Sequence, residues 1–463
     1  MNREILHLAL PSIITNITVP LLGIVDLAIV GHLSCQAAIG AIAVGGLIFN
    51  MVYWLFNFLR MGSSGLTAQA YGRRDLGTIR RVLRMALLVS ICCGIGIFAI
   101  QRPMEWMAHL IIAPTDEVWQ LAIRYFRVRI WAAPAVLSLF AMNGWLVGMQ
   151  DSRSPLCIAI GQNLINIAAS YLLVFHAGMG VEGVALGTVL SQYASVGVAA
   201  WLCLRQMRLS TELLTTDVDN SATGNNPHPN VDNSDGYELS YQQFFTVNRD
   251  IFLRMICLIV VTTAFTSFGA RMGDTLLAVN TLLMQLFTLF SYFCDGFALA
   301  GEALVGKYIG QEDVKDATKA GEPDFSSPRV GRVVSLLFRW GWAFTVLFSL
   351  LYMAGSTSIL RILTDDASVI DACRPYLFWA ILIPPCGMAA FIWDGIYIGA
   401  TRTRQMFLSL LIGAIVFFAL RALLIGLLRD PNDALWIAFL SYLICRGLYL
   451  WWQWGKYSSI SNH

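Results

Sequence analysis

Asp26 is the residue of this sequence with the clearest capacity for chemistry. It lies in the apolar run LLGIVDLAIVGHL, about 10 Å below the outer end of the predicted helix. A carboxylate at that depth in a membrane is costly unless it faces a polar cavity, pairs with a cation or is protonated. The low-dielectric setting favours the neutral form, so Asp26 can exchange a proton in the physiological range. Pro20, nearly two turns earlier, predicts a kink through which proton binding can change the helix. The alternative is a carboxyl satisfied by neighbouring hydroxyls, with no role in turnover.

Two further predicted helices offer neutral polar side chains that can join Asp26. Asn163, Asn166 and Ser170 are spaced i, i+3, i+7 and share one helix face, and Thr188 follows on the next helix. The alternative role for Asn, Ser and Thr side chains in membranes is hydrogen bonding between helices. We predict a proton- or cation-coupling site formed by Asp26 and these four residues.

The second half of the chain carries its own acids within apolar runs. Asp295 and Glu302 lie i, i+7 on one face, and Asp394 lies in a later helix. They either line a central cavity or form stabilising ion pairs with Arg254, Arg271 or Arg60. Methionine and aromatic side chains suit flat, lipophilic ligands because they adapt their shape. The predicted substrate cavity therefore includes Asn57, Arg60, Met61, Asn143, Met284, Asp295, Glu302 and Asp394.

The elements that position these residues are membrane helices. The 463 residues are 57% hydrophobic and 13% charged, whereas soluble domains are roughly 45–50% apolar and about 25% charged. The apolar residues form twelve candidate spans, most of about 20 residues or more, enough to cross a hydrocarbon core of about 30 Å. In chain order the predicted spans are 5–33, 36–60, 82–101, 118–147, 155–175, 182–204, 251–271, 276–300, 331–353, 371–399, 406–428 and 433–454. We predict an all-α, polytopic membrane protein with twelve transmembrane helices.

The two halves of the chain repeat each other. The run Asn143–Gly148 reappears as Asp394–Gly399, and Asn2–Ile5 reappears as Asn248–Ile251. Six spans per copy is an even number, so both copies enter the membrane in the same direction. This predicts two six-helix bundles related by a pseudo-twofold axis along the membrane normal, as in secondary transporters whose solute path runs between the repeats.

The boundary between the copies is a polar stretch containing DVDNSATGNNPHPNVDNSDG. Such a composition cannot bury enough apolar surface to fold alone. We predict an amino-terminal lobe at 1–207, a flexible cytoplasmic linker at 208–240 and a carboxy-terminal lobe at 241–463.

The distribution of basic residues predicts orientation. Lys and Arg are concentrated in alternate loops, so the positive-inside rule places both termini in the cytoplasm. Arg124, Arg127 and Arg129 run against this trend. Either they extend to the outer interface or they pair with acids.

Motifs for other chemistry are absent from the sequence. It contains no G-x-x-x-x-G-K-[ST], H-E-x-x-H or G-x-S-x-G, and its ten cysteines include no C-x-x-C. We predict no enzyme activity, no cofactor, no bound metal other than a possible Na+ at Asp26, and no nucleic-acid partner.

The chain closely resembles the multidrug and toxic compound extrusion (MATE) transporters, and within them the DinF subfamily. The resemblance rests on five long segments, namely ALPSIITNITVPLLGIVDLAIVGHL, FLRMGSSGLTAQAYG, GWLVGMQDSRSP, AVNTLLMQLFTLFSYFCDGFALAGEALVG and WDGIYIGATRTRQM. It implies a V-shaped fold of twelve helices in the bacterial inner membrane. It also implies exchange of inward-moving H+ or Na+ for outward-moving organic, often cationic, compounds.

The resemblance further implies an ion site in the first lobe, centred on Asp26 and including Asn166 and Thr188. Many relatives carry a second aspartate where this chain has Ser170. A single carboxylate suits a proton but is a weaker cage for Na+, which benefits from several hard oxygens and net negative charge. We therefore expect H+ coupling, with Na+ as the alternative, and a monomer suffices for the mechanism.

A second hypothesis is a flippase for lipid-linked oligosaccharides or related precursors, from the wider superfamily. That function needs a wide cationic cavity for pyrophosphate, for example one lined by Arg60, Arg124 and Arg127. The acids in the apolar helices and the count of twelve spans disfavour it.

Overall fold

The computed structural model describes residues 1–31, 36–112, 115–221, 240–315, 327–364 and 366–460. Within these ranges, the side chains of 19–28, 30–31, 36, 111–112, 213–221, 314–315, 356–357 and 457–460 lie outside the description. Every regular element of the described chain is helical, as the sequence predicts.

The first half of the chain forms nine α-helices in the described ranges. They are α1 (Asn2–Gly31), α2 (Gln36–Leu55), α3 (Phe58–Arg73), α4 (Leu76–Ala99), α5 (Gln101–Ile112), α6 (Asp116–Arg129), α7 (Ala133–Gly148), α8 (Arg153–Tyr171) and α9 (Gly180–Ser221). A π-helical turn, Leu172–His176, extends α8.

The second half contributes seven described α-helices. They are α10 (Tyr241–Ala270), α11 (Asp274–Lys315), α12 (Pro328–Leu363), α13 (Ala367–Cys373), α14 (Leu377–Gly399), α15 (Thr403–Leu424) and α16 (Pro431–Ile460). A 3-10 turn joins α13 to α14 at Arg374–Tyr376, and a second joins α6 to α7 at Ile130–Ala132.

Eleven segments of the described chain are long and apolar enough to cross a membrane. They coincide with the second to twelfth predicted spans. The first predicted span is the 30-residue helix α1, many of whose side chains are outside the described set. The prediction of an all-α, polytopic membrane protein is confirmed.

The chain divides into two compact units. The amino-terminal unit is Leu10–Phe244, and the carboxy-terminal unit combines Met1–Ala9 with Phe245–His463. The first turns of α1 join the latter because Glu4 lies 3.7 Å from Lys307 and accepts a hydrogen bond from the hydroxyl of Tyr308 at 3.4 Å. Helix α9 continues to Ser221, past the position at which we predicted the linker to begin. Residues 222–239 of that linker lie outside the described residues.

Paired glycines bring the same two helices together in each copy. A methyl group at Gly144 of α7 would overlap the carbonyl of Arg60 on α3, and one at Gly395 of α14 would overlap the carbonyl of Ala298 on α11. Gly148 and Gly399 make the equivalent close approach one turn later. Small residues allow such backbone contact in membranes, so these four glycines mark close helix packing in each copy.

Candidate functional site

The amino-terminal unit holds a polar cluster of Asn163, Asn166 and Ser170 on α8 and Thr188 on α9, which we call the α8–α9 polar cluster. Gly187 lets the two helices approach, since a methyl group there would overlap the hydroxyl of Ser170. Asn166, Ser170 and Thr188 are buried, and Asn163 is half-buried. The structure therefore brings together four of the five residues that we expected to form the coupling site.

Hydrogen bonds account for only part of this cluster. The Asn166 side-chain amide donates to Thr188 Oγ1 at 3.0 Å, and Thr188 Oγ1 donates to the carbonyl of Val184 at 3.0 Å. Asn166 Oδ1 and Ser170 Oγ are buried and find no hydrogen-bond partner among the described residues. Because buried polar atoms normally have partners, these two oxygens are candidates for contact with a further group.

The cluster also reaches the helix that carries Asp26. Asn163 Nδ2 donates to the backbone carbonyl of Thr18 on α1 at 3.2 Å. The backbone of α1 is helical through Pro20 and Asp26 to Gly31. The side chains of Pro20 and Asp26 lie outside the described residues, so the kink and the carboxylate's position stay predictions.

The carboxy-terminal unit contains a buried ionic cluster, the Arg254–Asp394–Arg446 cluster. Asp394 Oδ2 accepts from Nη2 of Arg446 at 2.6 Å and from Nη2 of Arg254. The three side chains come from α14, α16 and α10 and are each at most 7% exposed. Arg446 also donates to the Tyr442 hydroxyl at 3.2 Å and lies over its ring.

This geometry is that of an ion pair, one of the two roles that the sequence allowed for Asp394. Sequence reasoning named Arg254 as one of three possible partners, with Arg271 and Arg60, and missed Arg446. A signal for Arg446 was present, because it is a lone cation in the apolar run of the last span.

The remaining cavity candidates divide between the units. In the amino-terminal unit, Arg60 Nε donates to Asn57 Oδ1 at 3.1 Å. Asn143 adjoins Gly144, which packs on the Arg60 backbone, and its Oδ1 is buried without a partner in the described part of the chain. Met61 is half-buried.

In the carboxy-terminal unit, Met284 and Asp295 are half-buried on α11, and Glu302 on the same helix is 2% exposed. Glu302 lies where Gly399 packs against its carbonyl, and Asp394 precedes the glycine that packs on Ala298. The three acids therefore lie along one pair of helices.

The arginines that ran against the charge pattern have identifiable neighbours. Arg127 forms a two-bond pair with Glu105, at 2.9 and 3.1 Å. Arg129 lies over the rings of Phe49 and Tyr125, while Arg124 is exposed. The pairing alternative is confirmed for Arg127, whose charge is thereby neutralised.

The residue types present limit the ligands that the candidate site can bind. No group of three or more His, Cys, Asp or Glu residues in the described ranges is arranged to hold a metal ion. The α8–α9 polar cluster contributes only neutral oxygen and nitrogen atoms. Any charge at that site comes from a neighbouring residue or from the ligand.

A helical membrane protein of two units, each with a polar cluster between membrane spans, has the plan of a secondary transporter. Comparison with known proteins gives the same class. The MatE family model matches residues 11–172. DNA damage-inducible protein F of Escherichia coli (strain K12) is 33% identical over 459 residues, covering 98% of this chain and 92% of that protein.

A probable multidrug resistance protein NorM of Thermotoga maritima is 23% identical over 382 residues, covering 81% of this chain and 75% of that one. A solved structure of MATE in the bent conformation has the same fold, with a TM-score of 0.80 at 16% identity, covering 99% of this chain and 96% of that one. A multidrug resistance MATE family transporter in an outward-facing conformation gives a TM-score of 0.78 at 16% identity, covering 100% and 97%.

The chain belongs to the MATE family of multidrug transporters, and within it to the DinF subfamily. Members of this family are secondary transporters and not enzymes. The protein is accordingly a multi-pass membrane transporter, coupled to an ion, that binds small molecules within the membrane.

Proposed function

We propose that this protein exports lipophilic, cationic organic compounds from the bacterial cytoplasm across the inner membrane in exchange for H+. Asp26 is the coupling acid, the α8–α9 polar cluster forms its surroundings, and the monomer is the working unit. Both termini face the cytoplasm.

The observation that carries this proposal is the pair of buried oxygens, Asn166 Oδ1 and Ser170 Oγ, without partners among the described residues. They lie in a cluster that is already hydrogen-bonded to α1 through Asn163 and Thr18. A protonated carboxyl supplies one donor and an ionised one accepts. Asp26 can therefore satisfy these oxygens differently in its two protonation states.

The register of the helices supports the pairing of Asp26 with Ser170. Helices α1 and α8 are the first and fifth spans and so are expected to run in the same direction. Asn163 contacts Thr18, and Ser170 lies about 10 Å further along α8. Asp26 lies about 12 Å beyond Thr18 on α1, which is nearly the same depth.

The charge of the cluster favours H+ over Na+. All four described members are neutral, so Asp26 would be the one carboxylate among the five expected ligands. Hard cations bind best to several oxygens with net negative charge. A proton needs only one basic oxygen. Its release restores the negative charge of Asp26, and burial of that charge in the membrane is unfavourable.

Coupling follows from a difference in ligand affinity between two conformations. Protonation of Asp26 from the outside neutralises the carboxylate, changes its hydrogen bonds to the cluster and favours one shape of α1. Substrate binding favours the other shape of α1. Proton binding therefore promotes release of the substrate, and substrate binding promotes release of the proton. The multidrug resistance proteins among the relatives support the substrate class.

The test is ethidium efflux from proteoliposomes under an imposed pH gradient and, separately, an imposed Na+ gradient. Wild-type protein should respond to the pH gradient, and Asp26→Asn should lose at least nine-tenths of that rate. Asp371→Asn, at an exposed carboxylate, is the control and should match the wild type.

Efflux driven by Na+ alone would contradict the choice of ion. Absence of ethidium movement under both gradients would contradict cation export, and transport of lipid-linked oligosaccharide would then be measured in the same vesicles.

A further inference from the structure

An open groove of about 470 Å³ lies between α15 and α16 of the carboxy-terminal unit. Its lining is mainly apolar and includes Ile412, Ser441, Cys445, Leu448, Tyr449 and Trp452. Leu448 is 58% exposed and Trp452 is 51% exposed, so this surface faces outward from the unit. In a membrane-spanning pair of helices, an outward-facing apolar groove meets lipid.

The length of the groove matches one leaflet of a bilayer. From Ser441 to Trp452, α16 advances about 16 Å, and half of a hydrocarbon core is about 15 Å. One acyl chain laid along α16 therefore extends from the middle of the membrane to the level of Trp452.

Aromatic side chains mark the interface at that level. Trp451 and Trp452 are both more than half exposed, and Trp residues concentrate where the hydrocarbon meets the headgroups. The hydroxyl of Tyr449 accepts a hydrogen bond from the Gln453 amide at 3.1 Å, which holds the ring beside the groove.

A cation stands at the interfacial end of the groove. Lys456 is exposed and follows Cys445, Tyr449 and Trp452 on the same stripe of α16. Its Nζ lies 3.4 Å from the centre of the Trp452 ring. The backbone of Lys456 lies about 6 Å beyond that of Trp452, and its side chain returns to the Trp452 ring, so the ammonium group lies at the interface that the tryptophans mark.

We propose that this groove is a binding site for an anionic phospholipid. One acyl chain lies in the groove along α16, and the phosphate of the headgroup contacts Lys456 above Trp452. Charge complementarity selects an anionic headgroup over a zwitterionic one, since a basic residue near the surface contributes about 1 kcal/mol of attraction to anionic lipid, or about fivefold in affinity. The site is independent of the coupling ion.

Binding of dioleoyl phosphatidylglycerol and dioleoyl phosphatidylcholine to the delipidated full chain, measured by native mass spectrometry, tests the proposal. Both lipids have the same chains and differ in net charge. Wild-type protein should retain phosphatidylglycerol about fivefold more tightly, and Lys456→Gln should reduce that ratio to near one.

Two further variants separate the headgroup from the chain. Cys445→Phe fills the groove and should weaken the binding of both lipids while the ratio persists for what remains. Arg205→Gln is the matched control, because Arg205 lies over the exposed Trp201 on another helix, α9, with no part in this groove. It should leave the ratio unchanged.

Equal retention of the two lipids by the wild type would overturn the proposal, as would an unchanged ratio in Lys456→Gln. Binding of glycerol phosphate as tightly as the whole lipid would also overturn it, since the acyl chain would then contribute nothing.

Discussion

Ser170 keeps the α8–α9 polar cluster neutral. A carboxylate in place of its buried hydroxyl would make the site more negative. We predict that Ser170→Asp introduces Na+-driven ethidium efflux that the wild type lacks, with a rate at least several times the background. The added carboxylate supplies hard oxygen ligands and net negative charge.

Ser170→Asn is the control for size, since it matches Asp in shape without its charge. It should show no Na+-driven efflux. If both variants respond to Na+ alike, the charge argument for H+ coupling is wrong.

Asp394 connects three helices through two buried guanidinium groups. Asp394→Asn should lower the free energy of unfolding by about 3–5 kcal/mol, because removal of one partner leaves buried charge uncompensated. The exposed pair of Asp371 with Arg374, at 3.1 Å, offers a matched control. Asp371→Asn should cost at most about 1 kcal/mol.

Unfolding of the purified variants in detergent, followed by tryptophan fluorescence, gives both values. Equal losses in the two variants would show that Asp394 does not hold the helices together.

The residue types of both clusters could be predicted from the sequence, but their partners could not. A lone charge or amide in an apolar run signals a polar contact. The contacts themselves join residues 145 apart for Asn163 and Thr18, and 140 apart for Arg254 and Asp394. Spacing along one helix reveals a shared face, whereas the choice of neighbouring helix depends on packing of the whole unit.

The close pairs α3–α7 and α11–α14 depend on glycine. We predict that Gly395→Ala and Gly144→Ala each lower the free energy of unfolding by about 1–3 kcal/mol, because the added methyl group overlaps a backbone carbonyl and forces the helices apart. The measurement is the same detergent unfolding.

Gly46→Ala on α2 is the comparison, since a methyl group there meets no atom within 4 Å. It should be neutral or stabilising by up to about 1 kcal/mol, as Ala favours helix more than Gly. Destabilisation of Gly46→Ala by as much as Gly395→Ala would mean that the backbone contact is not the cause.

The existence of the membrane helices follows from the apolar runs, but their internal breaks do not. The second predicted span is two helices, α2 and α3, and the fourth and tenth contain 3-10 turns. Hydropathy reports which solvent a segment meets and is insensitive to a local change of backbone hydrogen bonding. Pro134 and Pro375 lie at the 3-10 turns and are the local cues, because proline fits the first turn of a helix.

Two copies of six spans place both termini on the same side of the membrane, and the positive-inside rule predicts that this side is the cytoplasm. A fluorescent protein fused after His463 should fold and fluoresce in a bacterial host. Alkaline phosphatase fused after Arg429, between α15 and α16, should be active, because that connection is expected outside. The opposite pair of results would reverse the orientation and place Asp26 near the cytoplasmic surface.

The doubled architecture can be predicted from the sequence, because paired motifs such as Asn143–Gly148 and Asp394–Gly399 lie in both halves. The sequence does not predict that Met1–Ala9 belongs to the carboxy-terminal unit. That assignment depends on the contacts of Glu4 with Lys307 and Tyr308, about 300 residues away in the chain.

Substrate-induced proton release tests most directly the claim that Asp26 exchanges a proton against an organic cation. Tetraphenylphosphonium is added to the purified transporter in weakly buffered detergent solution at constant Na+, and the pH change is recorded. The account predicts release of about one proton per wild-type molecule and none from Asp26→Asn, because one carboxyl changes its protonation state. Equal release from both proteins, or release that disappears when Na+ is withdrawn, would contradict it.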